Sequence, residues 1–87
     1  MKIKDNLLIR EIAGTWIVVP IGQRVIEFNG LMTLNEIGVF IWKKLERETT
    51  VAELTKSVTD EYNIDEQTAI NDIEEFIAKL IEKDLID

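Results

Sequence analysis

The chain changes character once, between Leu34 and Asn35. Before that point it is rich in Ile, Val, Leu and Thr, and it holds the only proline and all but one of the glycines. After it, apolar residues recur at helical spacing and no proline interrupts them. A chain patterned this way folds with strands first and helices after. No Ser-, Gly- or Pro-rich linker separates the two parts, and neither a repeat nor a low-complexity tract appears. Residues 1–87 therefore read as one domain. Charge divides at the same place. Residues 1–34 carry four basic and three acidic side chains; residues 35–87 carry six basic and 14 acidic, and the whole chain is at −7.

Composition removes several function classes. There is no Cys and no His, which excludes disulfides, thiolate chemistry, Ser–His or Cys–His catalysis and zinc sites built on those ligands. No apolar run approaches the ~20 residues of a membrane span. The start, Met1-Lys2-Ile3-Lys4-Asp5, lacks the apolar stretch of a signal peptide. The expectation is a cytoplasmic binding or structural module, not an enzyme, with no cofactor and no metal.

Leu7–Ile12 reads as a first strand and Trp16–Pro20 as a second, joined by a tight turn at Ala13-Gly14. The second strand is apolar on both faces and so predicts cover on both sides. Residues 24–28 fit either a strand or a helical turn, with a turn at Asn29-Gly30. Leu31–Leu34 reads as a third strand. Three helices follow. Asn35 is the expected N-cap of the first, which buries Ile37, Phe40, Ile41 and Leu45; Gly38 inside it points to a close backbone contact. Thr50-Val51-Ala52-Glu53 is a capping box, opening a helix with its stripe on Val51, Leu54, Val58 and Tyr62. Asp65 caps the third helix, whose apolar positions run from Ala69 to Ile81. The order is β-β-β-α-α-α, an α+β fold.

Acidic side chains are the plentiful reactive groups, yet no Asp-x-Asp-x-Asp-Gly loop appears. Solvated helix faces and caps account for them. Ser57 has no histidine to activate it. The last two helices could form a helix-turn-helix, but residues 65–87 hold only Lys79 and Lys83 against eight acids, so duplex phosphates would be repelled. Nucleic acid is not an expected partner. Trp16 and Trp42 are read as core or partial core ahead of ligand platforms. A three-stranded sheet keeps an exposed edge, and an edge beside an apolar helix face can hold an extended peptide.

Motifs in order sharpen this. Leu34-Asn35-Glu36-x-Gly38-x-x-Ile41-Trp42, Thr50-Val51-x-Glu53-Leu54, Tyr62-x-Ile64-Asp65, Asp72-Ile73-x-x-Phe76-Ile77-x-x-Leu80 and Leu85-Ile86 together resemble the signature of PqqD-like proteins. Asp84 stands where that family commonly has Gly, and Gln23–Asn29 looks like an insertion. The resemblance implies a winged-helix-like fold that recognises the leader of a ribosomally made, modified precursor peptide. It implies that the leader adds as a strand beside strand three and the third helix, and that the domain presents it to a modifying enzyme, often a radical S-adenosylmethionine protein. The peptide-binding set it implies is Leu31, Met32, Thr33, Ile70, Asp72, Ile73 and Ile77. The acidic third helix suits a basic leader, and exposed edges permit a homodimer. The other reading is an acidic winged-helix adaptor or regulator that binds a folded protein and no peptide.

Overall fold

The computed structural model describes residues 1–27 and 31–87. Its elements are β1 (Leu7–Ile12), β2 (Thr15–Pro20), α1 (Arg24–Glu27), β3 (Thr33–Leu34), α2 (Glu36–Leu45), α3 (Val51–Glu61) and α4 (Glu66–Glu82). The strand-then-helix order expected from the sequence is present, with one four-residue helix interposed. The segment that fitted strand or helical turn is thus helical over residues 24–27, while Phe28 and the turn at Asn29-Gly30 lie outside the described residues.

The sheet is antiparallel with order β1-β2-β3. The two-residue loop between the paired Ile12 and Thr15 has both Ala13 and Gly14 at positive φ. That is the type I′ geometry whose twist matches the flanking strands. Pro20, unable to donate to a ladder, ends β2. Alternation along the strands sends Val18, Met32 and Leu34 into the core. The opposite face carries Ile17 and Val19, both half-buried, and the exposed Ile12 and Thr33. Cover on both sides of β2 is therefore only partial.

Each of the three long helices begins on the expected cap. The Gly38 amide donates to Asn35 Oδ1 at 2.8 Å, the Glu53 amide to Thr50 Oγ1 at 3.2 Å, and the Thr68 amide to Asp65 Oδ1 at 2.7 Å. That last bond holds the Asp65 carboxyl below its usual range. The helices close over a core containing Trp42, Leu45, Val58, Ala69, Ile73 and Leu80, all 0% exposed. The N-terminal segment seals its far end: Ile3 bridges Ile86, and the Ile3 amide donates to the Leu45 carbonyl at 2.8 Å.

The end of α4 explains the residue that departs from the usual glycine. The Leu85 amide donates to the Leu80 carbonyl at 2.9 Å and the Asp84 amide to the Ile81 carbonyl at 3.0 Å. This is the Schellman pattern, with the buried Leu80 and Leu85 as its apolar contact. It requires a left-handed residue at position 84, and Asp84 has φ 59°. Asp tolerates that region better than most residues. Its carboxylate also takes Lys4 Nζ at 2.6 Å, which holds the carboxyl below its usual range.

Candidate peptide groove

β3 is one of the two outer strands of the sheet, β1 being the other, and its register decides which groups it offers. Trp16 pairs with Leu34 and Ile17 with Thr33, and the Val18 amide donates to the Met32 carbonyl at 3.0 Å. Antiparallel neighbours alternate between bonded and non-bonded pairs. Met32 and Leu34 therefore spend their main-chain groups on β2. The N–H and C=O of Thr33 point away from β2. This edge is short, and the side chains of Thr33 and of Leu31 before it are exposed, Leu31 at 68%.

Beyond the end of β3, α2 and α4 leave a cleft of about 150 Å³. Its floor is Ile37, Ile41 and Phe76, and Asn35, Asp72 and Lys79 stand at its rim. The volume matches an engineered cavity that accepts one benzene ring, so the cleft has room for about one side chain. Gly38 is what keeps it open. A Cβ at position 38 would stand 3.2 Å from Asn35 Oδ1, 3.4 Å from Phe76 Cε1 and 3.5 Å from Leu34 Cβ. The close contact that the glycine suggested is therefore with α4 and the end of β3.

The seven residues assigned from the sequence fall in four places. Leu31 and Thr33 are exposed on the edge strand, while Met32 and Ile73 are core side chains, 5% and 0% exposed. On α4, successive residues turn by about 100°, and the buried Ala69, Ile73 and Leu80 mark the core line. Asp72 lies on one side of that line with Phe76 and Lys79, facing α2. Ile70 lies on the other side, in a separate cleft against Val51, Thr55 and Thr59 of α3. Ile77, seven residues on, shares the Ile70 side and is half-buried. The α2–α4 cleft thus holds Asp72 and adds Phe76, Asn35 and Gly38, while Leu31 and Thr33 lie in the chain that leads into it through Leu34 and Asn35. Sequence spacing placed Phe76 equally well in the core. The spacing of Asp72, Phe76 and Lys79 at i, i+4 and i+7 was the available signal that they share a flank.

Charge on this flank is mixed. Asp72 is exposed, and Glu75 approaches Lys79 Nζ at 3.8 Å. Among the described residues, no cluster of three acidic side chains could hold a metal ion, and no helix is long and apolar enough to cross a membrane.

An α+β domain with a strand edge beside a helix cleft has the geometry through which strand-addition binders take up a peptide. The chain belongs to the PqqD family: the family model described as coenzyme PQQ synthesis protein D matches residues 15–86. Among solved structures it is similar to one described as TbiB1 in complex with the TbiA(beta) leader peptide. That likeness has TM-score 0.76 and 25% identity, and it covers 100% of this chain and 95% of that one. No curated protein sequence matches the chain.

Proposed function

We propose that this protein is a non-enzymatic recognition element for the leader segment of a ribosomally made precursor peptide, which it presents to a separate modifying enzyme. One observation carries the reading: the outward main-chain groups of Thr33 stand on an outer strand of the sheet that runs on, through Asn35, into the α2–α4 cleft. Family membership and the leader-bound structural relative support it. The leader adds as a strand to β3, and main-chain hydrogen bonds supply most of the affinity. One apolar leader side chain enters the cleft over Phe76, and Asp72 at the rim favours a basic neighbour. Met32 and Ile73 act as the packed floor that fixes β3 and α4. Ile70 and Ile77, on the other flank, are not placed in this groove. The family resemblance points to a radical S-adenosylmethionine protein as the enzyme that receives the peptide; the cytoplasm is the location proposed for both.

Gly38→Leu tests the cleft. The new side chain fills the space against Phe76, so a fluorescently labelled leader from a precursor reading frame beside the gene loses at least roughly tenfold in affinity by anisotropy, about 1.4 kcal/mol. Binding at wild-type strength by a folded Gly38→Leu protein would exclude the cleft from recognition.

A further inference from the structure

A second cleft, of about 480 Å³, opens on the other side of the α2 N-terminus. Nothing in the groove reading uses it. Three half-buried aromatic rings line it: Trp16 from β2, Phe40 from α2 and Tyr62 from the end of α3. Phe40 and Tyr62 meet edge to face, with centroids 5.4 Å apart. The carboxylates of Glu11 and Glu36 and the ammonium of Lys43 complete the wall. Burial first, and then the charge of Glu36, push the Tyr62 hydroxyl above its usual value, so the phenol stays neutral and able to donate.

The chemistry of this wall selects cations. Aromatic faces are the negative side of the ring quadrupole, and two carboxylates adjoin them. The fold already uses this property, because Lys43 Nζ sits over the Trp16 ring at 5.5 Å from its centroid. Lys43 is exposed, as is Lys44 over the Phe40 ring at 5.3 Å, and exposed contacts of this kind are weak. A guanidinium is the better occupant. It is planar, so it stacks on an indole, and its fork of donors can meet a carboxylate with two bonds at once.

We propose that this aromatic cleft is a second binding site that takes an arginine side chain, with Lys43 as a built-in competitor for the face of Trp16. The arginine is assigned to the captured peptide, in the stretch beyond the segment that pairs with β3. Asn35 lines both clefts, so a chain leaving the groove arrives at the rim of this one. The source of the arginine therefore rests on the peptide-recognition reading, whereas the chemistry of the cleft does not.

The test is an NMR titration of the whole chain with N-acetylarginine amide at tens of millimolar, with N-acetylleucine amide as control. The expected result is movement of the Trp16 indole and Tyr62 ring signals with the arginine probe and not with the leucine probe. Lys43→Gln should tighten arginine binding roughly two- to fivefold, the worth of one exposed cation–π contact, and Glu11→Gln should weaken it. Equal response to both probes, no response, or weaker binding by Lys43→Gln would overturn the cation site. A leader titration then separates the two readings. Shifts at β3 with none at Trp16 overturn the proposal and leave the groove. No shift at β3, with Trp16 still responding to arginine amide, overturns the groove reading and with it the source assigned here.

Discussion

Thr33→Pro should weaken leader binding strongly while leaving the protein folded. The Thr33 amide points away from β2, so proline there removes a donor that has no partner among the described residues and that the incoming strand uses. The ring also stands in the path of the added strand. Proline further restricts Met32 to extended backbone, which that residue already needs. The expected loss is more than about tenfold in Kd, since one hydrogen bond of about 0.5–1.5 kcal/mol disappears together with the register it sets. Leu34→Pro makes the control. The Leu34 amide is spent on Trp16, and its side chain is in the core, so that variant should lose stability instead. Isothermal titration and a thermal melt on both variants read the two effects separately. If Thr33→Pro bound the leader as the wild type does, strand addition at β3 would be wrong.

Trp42 is the second position of large effect. It is 0% exposed at the centre of α2. A domain of 87 residues has a total stability of roughly 4–13 kcal/mol. Trp42→Ala should cost about 3–5 kcal/mol through lost burial and the cavity left behind, enough to bring the domain near unfolding. Trp42→Phe should cost much less than half of that. The indole Nε1 has no hydrogen-bond partner among the described residues, so phenylalanine keeps most of the apolar contact and removes a buried donor that costs free energy. Urea midpoints at unchanged m-value measure both. Equal losses for the two variants would mean that the indole N–H contributes more to the fold than its surroundings suggest.

Much of this architecture was legible in the residues because local chemistry decided it. Asn35, Thr50 and Asp65 are caps by side-chain type, and each accepts the amide three residues on. The Ala13-Gly14 turn and the stop at Pro20 follow equally from backbone restrictions. The third strand was less legible. Leu31–Leu34 has the composition of a strand, but only Thr33–Leu34 forms one, with Met32 still accepting from the Val18 amide; composition does not fix where a ladder ends.

The candidate site was legible as an edge and a helix, and not as a set of side chains. Periodicity gives α4 a wide apolar face and cannot say which neighbour covers which side of it. Packing sends Ile73 into the core, Ile70 towards α3, and Asp72 with Phe76 towards α2. Trp16 and Trp42 look alike in sequence, yet one lines a cleft and the other is sealed in the core. That difference arises from where β2 and α2 meet, which no local pattern records.

The most direct test of the account is an amide-resolved NMR titration with a synthetic leader from a short reading frame beside the gene. The account predicts that shifts cluster on Leu31 and Thr33, on Gly38, and on the Asp72, Phe76 and Lys79 flank of α4, with the Thr33 amide becoming protected from hydrogen exchange. Saturable binding that leaves residues 31–34 unmoved and shifts the α3–α4 cleft around Ile70 instead would contradict it.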